Sequence, residues 1–313
     1  MSGPVEVKDL PPGPGPGVST APVAELADSR ITEVGTVEVR RALPNRGRRT
    51  VGPWCFADHF GPLDLDRHQG LDIGPHPHIG LQTVTWLFEG ELVHRDSLGS
   101  EQPIRPGQLN LMTAGRGVAH AEETPRLRRG RAHGMQLWVA QPSRTRDGEP
   151  AFEHHAVLPS VELDGSVATV LVGEFARAAA PSRRDSDHVG VELSLRPGVT
   201  TVPLDPAFEY AAIVALGLVV AEGRDVGPGK LLYLGEGRDE LALSTNVPTR
   251  LLVLGGSPFP EQLFMWWNFV ARTREEVEAA REDWMKRSKR FGDVASGLQR
   301  VLAPPVMWRP SGG

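Results

Sequence analysis

The sequence predicts an all-β fold of two similar domains, each a β-sandwich or barrel of the jelly-roll kind. From Leu26 onward, short apolar runs alternate with turns that contain glycine, proline, asparagine or aspartate, as is typical of sandwiches and barrels. Each half also contains a Pro-Gly turn that leads into an apolar strand, in IRPGQLNLM and in VGPGKLLYL. Such turns occur in many hairpins. Together with a length of 313 residues, enough for about two domains, they favour two β domains.

Prolines and glycines divide the chain into a tail and two domains. The segment LPPGPGPG at 10–17 is of low complexity, so we expect residues 1–22 to form a disordered tail. The first domain is predicted over 23–150, and the polar stretch PSRTRDGEPAFEHH marks the connection that follows. Apolar runs then resume in a second domain over 151–313. Its strands are expected at VATVLVGEF, VGVELSL, EYAAIVALG, KLLYLG, ELALS and RLLVLGG.

One helix is predicted near the end of the second domain. Thr273 followed by Glu276 forms a capping-box pattern, and the segment EEVEAAREDWMKR is rich in helix formers. The basic cluster from Lys286 to Arg290 is expected at the C-terminus of this helix, where positive charge is favourable. We interpret the cluster as structural rather than as a nucleic-acid contact, because the chain is acidic overall.

Charge and composition exclude several classes of partner. The formal net charge of −5 argues against a general nucleic-acid or anionic-membrane binder, because both need a positive face. The single cysteine, Cys55, excludes an intrachain disulfide framework and suits a reducing compartment. Prolines interrupt the N-terminal segment where a signal peptide needs a continuous apolar stretch. We therefore expect a cytoplasmic protein, and a monomer, since closed barrels leave few free strand edges.

The histidines point to a metal site in the first domain. His76 and His78 are two residues apart, and so are His120 and Glu122. Residues at this spacing in a strand point to the same face, so two facing strands would bring four ligands together. Three imidazoles and a carboxylate suit a first-row transition metal, with iron, manganese, nickel, copper and zinc all chemically suitable. The alternative is that each pair belongs to the polar face of an exposed strand.

The residues that follow the first histidine pair are expected to line a pocket. Gln82, Trp86 and Phe88 have the same even numbering as the pair at 76 and 78, which places them on the ligand face. The apolar continuation indicates that this face is interior rather than solvated. Met112 is a further candidate for the lining. Trp86, Phe88 and Met112 could equally belong to the barrel core.

Three stretches of the sequence resemble the pirin family of two-domain cupins. They are GPHPHIGLQTVTWLFEGELVHRDSLGS, PGQLNLMTAGRGVAHAEETP and HGMQLWVAQP. The stretch WCFADHFGP resembles the entry into the first barrel of the family, and GGSPFPEQLFMWWNFVARTREEVEAAREDW resembles its closing segment and helix. The resemblance extends from about residue 30 to about residue 293. The element MTAGRG followed by HAE is far more specific than a bare His-x-His.

The resemblance implies a bicupin with one metal in its N-terminal cupin domain. His76, His78, His120 and Glu122 match the ligand positions of the family, and the metal it implies is a divalent transition metal, Fe(II) first among them. The C-terminal domain of pirins is metal-free. This chain agrees with that pattern, because no histidine follows His188.

The chain departs from the common pirin pattern beside the first histidine pair. Many pirins read HPHRGFETV where this chain reads HPHIGLQTV, so that Ile79, Leu81 and Gln82 replace arginine, phenylalanine and glutamate. We expect these changes to lie next to the pocket and to alter substrate identity more than metal binding. His59 and His133 lie near the pirin motifs, and they either orient a ligand imidazole or are ordinary structural histidines.

The resemblance also implies an activity, because some bacterial pirins are similar to quercetinases. The expected reaction opens a flavonol such as quercetin with O2 and releases carbon monoxide, with Glu122 as the general base at the metal. The alternative is a redox-sensitive binding protein that controls an enzyme or a transcription factor by contact. Its candidate surface is the cluster Arg126, Arg128, Arg129 and Arg131, which could equally be a solvated loop. A third alternative uses the metal as a Lewis acid in an isomerase or a hydrolase.

Overall fold

The described residues of the first half form twelve strands. A computed structural model describes residues 23–35, 37–66, 70–125 and 129–308, so the predicted tail over 1–22 lies outside the described residues. The strands of the first half are β1 (Glu25–Asp28), β2 (Arg30–Val34), β3 (Val37–Leu43), β4 (Trp54–Asp64), β5 (Ile73–His78), β6 (Leu81–Glu89), β7 (Leu92–Asp96), β8 (Glu101–Ile104), β9 (Leu109–Thr113), β10 (Val118–Glu123), β11 (Arg131–Ala140) and β12 (Ala151–His155).

The described residues of the second half form fourteen strands and one helix. These are β13 (Ser160–Leu163), β14 (Ser166–Val172), β15 (Glu174–Phe175), β16 (Ala178–Ala179), β17 (His188–Leu195), β18 (Gly198–Pro203), β19 (Glu209–Leu216), β20 (Val219–Ala221), β21 (Arg224–Val226), β22 (Lys230–Gly235), β23 (Glu240–Thr245), β24 (Thr249–Gly256), β25 (Phe264–Trp266), β26 (Phe269–Ala271) and α1 (Arg274–Met285). Strands occupy all six segments predicted for this half.

Each half builds a seven-stranded sheet and a smaller four-stranded sheet. In the first half the orders are β12-β9-β6-β11-β4-β3-β2 and β5-β10-β7-β8. In the second half they are β1-β22-β19-β24-β17-β14-β13 and β18-β23-β20-β21. Neighbouring strands in these sheets pair antiparallel, as expected of two-layered sandwiches. The predicted all-β fold of two similar domains with a C-terminal helix is confirmed.

The two domains exchange strands across the boundary predicted between residues 150 and 151. Strand β1, from the start of the first predicted domain, pairs with β22 in the sheet of the second half. Strand β12, from the start of the second predicted domain, pairs with β9 in the sheet of the first half. The first strand of each predicted domain therefore belongs to the sheet of the other domain, which corrects the start of both ranges in the division into 23–150 and 151–313. A turn-rich connection in the sequence does not reveal which sheet the flanking strands will join.

A continuous hydrophobic core joins the two seven-stranded sheets. One cluster of buried side chains draws on both halves of the chain, among them Trp54, Trp86, Leu137, Leu171, Ile213 and Leu252. The indole nitrogen of Trp54 donates hydrogen bonds across the junction to the carbonyl oxygens of Val189 and Gly255, at 3.2 and 3.1 Å. Burial of apolar surface on this scale stabilises the junction and fixes the two sheets against each other.

Helix α1 begins as the sequence predicts but ends before the basic cluster. Thr273 is its N-cap, and its side chain accepts a hydrogen bond from the amide of Glu276. The helix ends at Met285 with Lys286 as the C-cap, and no basic residue lies in its last turn. The rest of the basic cluster therefore follows the helix, which corrects the predicted placement. No helix in the described ranges is long and apolar enough to cross a membrane.

The segment after α1 returns to the first domain and packs against β5. The amide of Val301 donates to the carbonyl oxygen of Pro75 at 2.9 Å, and Trp284 Nε1 donates to the carbonyl oxygen of Val301 at 2.9 Å. A side chain at Gly74 would place its Cβ atom 1.9 Å from the carbonyl oxygen of Gln299. Glycine at 74 is therefore required for this close approach of the two backbones.

His59 and His133 form a buried pair that is separate from the predicted ligands. Their Nε2 atoms lie 2.7 Å apart, and His133 also packs against the ring of Phe88. Among the residues that the structure describes, neither ring contacts a predicted metal ligand, which favours the structural interpretation over the ligand-orienting one. Burial lowers the pKa of His59 to about 3 and that of His133 to about 4.

Acid is expected to destabilise the protein through this pair. Both rings are neutral when folded but titrate near 6.5 in the unfolded chain, so their stabilising contribution is present above pH 6.5 and is lost as the pH falls towards 4. Within that pH range, each of the two histidines lowers the free energy of unfolding by about 1.4 kcal/mol for every pH unit that the pH falls. Urea unfolding at pH 7, 6 and 5 measures the slope. The double variant His59→Gln/His133→Gln should show a slope smaller by about 1–2 kcal/mol per pH unit, and an unchanged slope would contradict the assignment.

Candidate metal centre

Two neighbouring strands of the four-stranded sheet bring three histidines together. Strands β5 and β10 pair antiparallel, with His120 directly opposite His76 and Val118 opposite His78. The side chains at 76, 78 and 120 therefore share one face. One ring nitrogen from each histidine lies within 4.8 Å of the other two, and all three rings are buried.

The outer ring nitrogens of these histidines are held by fixed partners. The contacts are His76 Nδ1 to the carbonyl oxygen of Gly74 at 2.9 Å, His78 Nδ1 to the carbonyl oxygen of Asn268 at 3.0 Å, and His120 Nδ1 to His94 Nδ1 at 3.4 Å. Metal-binding histidines are usually held in this way, because the outer contact fixes the tautomer and the ring orientation. The Nε2 atoms are left to converge, and those of His78 and His120 lie 3.0 Å apart.

The protonation state of the cluster suits a metal. Burial lowers the pKa of His76 to about 4, and burial lowers the pKa values of His78 and His120 well below their usual range. All three imidazoles are therefore neutral at pH 7 and present lone pairs to the same point. Neutral imidazole nitrogens are ligands of iron, nickel, copper and zinc. The residues present therefore fit a transition-metal ion.

Glu122 lies beside the three histidines without belonging to their close group. It is buried on β10, opposite His94 of the neighbouring strand, and its carboxylate faces the same cavity. The pairing of β10 with β5 shifts register between His120 and Glu122, so the period of two is interrupted there. Thr85 Oγ1 donates to Glu122 Oε1 at 3.4 Å, and burial raises the pKa of the carboxyl to about 7. Its role as fourth ligand stays a prediction.

The histidines open onto a large, mainly apolar cavity between the two sheets of the first domain. Its volume is about 690 Å³, within the range of small-molecule sites. Residues from both halves of the chain line it, among them Phe56, Phe60, Leu92, Trp138, Trp267 and the segment 301–305. Phe56 and Trp138 stack with their ring centroids 4.0 Å apart, and the rings of Trp138 and His78 form a T-shaped contact with their centroids 5.2 Å apart. The cavity therefore presents aromatic surface next to the histidines.

None of the four residues predicted to line the pocket is among the described lining residues. Trp86 and Phe88 belong to the core between the two domains, and Met112 belongs to a smaller core that includes Cys55. Gln82 is buried and donates through Nε2 to Thr113 Oγ1 at 3.0 Å. The prediction of a lining by Gln82, Trp86, Phe88 and Met112 is therefore corrected.

The reason for this error is a turn that interrupts the period of two. Gly80 has φ +66°, and it separates β5 of the four-stranded sheet from β6 of the seven-stranded sheet. The even-numbered face of β5 therefore does not continue as the even-numbered face of β6. On β6 it is the odd-numbered Thr85 that reaches Glu122 across the cavity. The departures at Ile79, Leu81 and Gln82 are buried away from the cavity lining as well, contrary to expectation.

Sequence reasoning missed the residues that hold the histidines from behind. His94 Nε2 donates to Asp96 Oδ2 at 3.0 Å, while its Nδ1 faces His120. His94 and Asp96 are two residues apart on β7. The ligand pairs were identified by the same spacing, so this signal was present in the sequence. Asn268 carried no such signal, because it comes from the hairpin between β25 and β26, 190 residues after His78.

Removing the charge at Asp96 is expected to weaken metal binding. Burial would raise the pKa of Asp96, but hydrogen bonds from His94 and from the amide of Ser100 hold it below its usual value. The carboxylate is thus charged and fixes the tautomer of His94. Asp96→Asn should lower metal affinity about 10- to 100-fold in a competition titration. The exposed Asp147→Asn is the control, and an equal affinity in both variants would contradict this role.

The fold and the site together define a two-domain cupin with a three-histidine cluster facing the cavity of its N-terminal domain. The chain belongs to the pirin family. The family model Pirin matches residues 36–139, and the model for the pirin C-terminal cupin domain matches residues 190–292.

Relatives of known sequence and structure cover nearly the whole chain. A Pseudomonas aeruginosa protein named "Putative quercetin 2,3-dioxygenase PA1205" is 45% identical over 285 residues, 90% of each chain. A pirin-like protein of Caulobacter vibrioides is 38% identical over 277 residues, which are 86% of this chain and 96% of that protein. The crystal structure of quercetin 2,3-dioxygenase from Acinetobacter baumannii superposes with a TM-score of 0.88 at 40% identity, covering 92% of this chain and 97% of that one.

Proposed function

We propose that this chain is a metal-dependent flavonol 2,3-dioxygenase, which opens a flavonol such as quercetin with O2 and releases carbon monoxide. The observation that carries the proposal is the position of three neutral histidines at an aromatic-lined cavity of about 690 Å³. A cavity of this size accommodates a three-ring aromatic compound. The names of the Pseudomonas and Acinetobacter relatives support the same reaction.

His76, His78 and His120 would hold the metal, with Glu122 as a fourth ligand at the cavity wall. We propose Fe(II), since a set of imidazoles and one carboxylate suits a first-row divalent ion. When bound, such an ion supplies Lewis acidity, which favours the ionised form of the 3-hydroxyl of a flavonol.

The chain's own residues would position the substrate and accept its proton. Glu122 is a buried carboxylate on the cavity wall, two residues after His120 on β10, so we assign it to take the proton of the flavonol 3-hydroxyl as general base. The Thr85 hydroxyl lies 3.4 Å from this carboxylate and shares its single proton with Gln136 Oε1, which is closer at 2.9 Å. Trp138 and Phe56 offer flat apolar surface to the rings, and Trp267 with the segment 301–305 adds apolar surface to the cavity wall, which would limit the access of water.

The test is oxygen uptake and carbon monoxide release by the Fe(II)-loaded protein with quercetin, beside metal-free protein. Glu122→Gln should lower turnover about 100-fold or more, in line with the loss of a general base, while metal content falls much less. Equal losses of turnover and metal content would remove the base role. No uptake by protein with iron bound would contradict the dioxygenase and favour the regulatory binding protein. For that alternative, Arg126 and Arg128 lie outside the described residues, and Arg131 pairs with Glu89.

A further inference from the structure

A row of polar side chains crosses the floor of the cavity in the first domain. The row consists, in order, of Asn110, Thr85, Gln136, Asp58 and Arg41. Each residue lies directly opposite the next one on the neighbouring strand, so the row crosses five strands of the seven-stranded sheet in the first half. Cross-strand partners share one face of a sheet, and three of the five are cavity-lining residues. The row divides an otherwise apolar floor, with Phe56 and Trp138 on one side and Phe60 and Val39 on the other.

Arg41 and Asp58 at the end of this row form a buried ion pair that faces the cavity. Arg41 Nε donates to Asp58 Oδ1 at 2.7 Å, and Arg41 Nη2 donates to Asp58 Oδ2 at 2.6 Å. Only 2% of Arg41 and 4% of Asp58 are exposed. Arg41 Nη1 makes no hydrogen bond to another residue in the described ranges, and each carboxylate oxygen can accept a further bond. The pair therefore has both a donor and acceptors left to offer.

Stability alone does not account for this pair. Burying two charges costs several kcal/mol per ion, and replacing a buried ion pair by apolar residues is often neutral or stabilising. The pair is not needed to join β3 to β4 either, because the two strands already pair through their backbones at this level. A charged pair kept on the wall of an apolar cavity is the pattern expected of a group that orients a ligand.

A continuous stack connects the ion pair to the histidine cluster. The Arg41 guanidinium lies 4.5 Å from the centroid of the Phe56 ring. Phe56 stacks on Trp138, which in turn meets His78. The polar row lies two residues along each strand from this aromatic pair, a distance of about 7 Å. A planar ligand that reaches the histidines at one end can therefore reach Arg41 and Asp58 with another part of the same molecule.

We infer that Arg41 and Asp58 bind a ring hydroxyl of an aromatic substrate, remote from the oxygen that reaches the histidines. Arg41 Nη1 donates to the hydroxyl oxygen, and an oxygen of Asp58 accepts the hydroxyl proton. The inference rests on the proposed function, and it narrows the substrate class to flavonols that carry hydroxyl groups beyond the 3-position. A substrate without such a hydroxyl leaves the buried pair unsatisfied, which is how a polar site rejects an analogue.

The test compares two flavonols as ligands of Fe(II)-loaded protein in the absence of O2. Quercetin carries additional ring hydroxyls, and 3-hydroxyflavone carries only the 3-hydroxyl. Calorimetric titration should give about 10- to 100-fold tighter binding of quercetin, the worth of a hydrogen bond to a charged group. The double variant Arg41→Met/Asp58→Leu removes both charges and should bind the two flavonols within about twofold of each other.

Two further variants separate recognition from loss of structure. Arg40→Met is the matched control, because Arg40 precedes Arg41 on the same strand but bonds to the carbonyl oxygen of Gly61 and does not line the cavity. It should keep the full preference for quercetin. Asp58→Asn keeps the shape of the pair, so it replaces the double variant in the test if the double variant fails to fold. Its preference for quercetin over 3-hydroxyflavone should fall at least severalfold.

The outcomes distinguish this inference from the proposed function. A preference for quercetin that survives in the double variant, or in Asp58→Asn, overturns the inference and leaves the dioxygenase standing. Equal binding of the two flavonols by the unaltered protein overturns it as well. Binding of neither flavonol by metal-loaded protein contradicts the proposed substrate class itself, and the inference falls with it. Turnover is not measured, so a slow enzyme gives the same result as a fast one.

Discussion

Replacing His120 with alanine is expected to weaken metal binding so far that dialysis against a chelator removes the metal from a protein that stays folded. His120 is the centre of the cluster, since its ring lies within 5 Å of the rings of both His76 and His78. Structural zinc sites bind with about 10–16 kcal/mol shared among a few ligands, so one imidazole contributes roughly 2–4 kcal/mol, or about 100- to 1,000-fold in affinity. Metal content after dialysis and a competition titration measure the effect.

The control for this variant is the same substitution at a histidine outside the cluster. His154 lies on β12 and bonds to Asn110 Oδ1 at 2.7 Å, so His154→Ala removes an imidazole without touching the three rings. It should retain one metal per chain. Circular dichroism and thermal unfolding establish that both variants are folded. If His120→Ala keeps full occupancy at the original affinity, the cluster is not the metal site.

Local spacing predicted the histidine cluster because the relevant geometry is short-ranged. Two ligands at i and i+2 share a face of any strand, whatever the rest of the chain does. Other local patterns, the apolar runs between turns and the capping box, located the six strands of the second half and the N-cap of α1 at Thr273. The spacing rule also fits His94 and Asp96, which are two residues apart on β7.

Local spacing could not predict whether the even-numbered residues keep the same face of the sheet after a turn. The strand that carries His78 and the strand that carries Trp86 belong to different sheets, separated by Gly80 in a left-handed conformation. The sequence shows a glycine there but not which face the next strand will bury. In this chain both faces of β6 are buried, one by the cavity side of the barrel and the other by the second domain, so apolar patterning does not distinguish them.

Contacts between distant segments were equally hidden from the sequence. Asn268 holds His78 by a carbonyl oxygen, an atom that every residue carries, so no side-chain pattern marks it. The segment 301–305 lines the cavity because its path after α1 returns to β5, with Val301 bonded to Pro75. Both contributions come from the second half of the chain. The candidate site is therefore a property of the whole two-domain fold rather than of the N-terminal domain alone.

Replacing Trp86 with alanine is expected to lower the free energy of unfolding by about 3–5 kcal/mol, the usual cost of removing a buried indole. Its side chain is fully buried in the core shared by the two domains, where it packs with residues such as Leu137 and Leu252. The cavity left behind would lie between two rigid sheets, which limits relaxation. Urea unfolding at pH 7 measures the loss. Metal content should not change in the folded fraction, because Trp86 does not line the cavity.

Trp86→Phe distinguishes the effect of volume from the effect of the indole nitrogen. Trp86 Nε1 is buried without a hydrogen-bonding partner in the described ranges, so phenylalanine removes an unsatisfied donor along with part of the ring. The two changes oppose each other, and this variant should lose less than half of what alanine loses. Unchanged stability together with weakened flavonol binding in Trp86→Ala would contradict this assignment and would indicate that Trp86 lines the pocket. Since the core around it joins both domains, we expect the domains to unfold as one cooperative unit, with fluorescence and circular dichroism reporting the same urea transition in both variants.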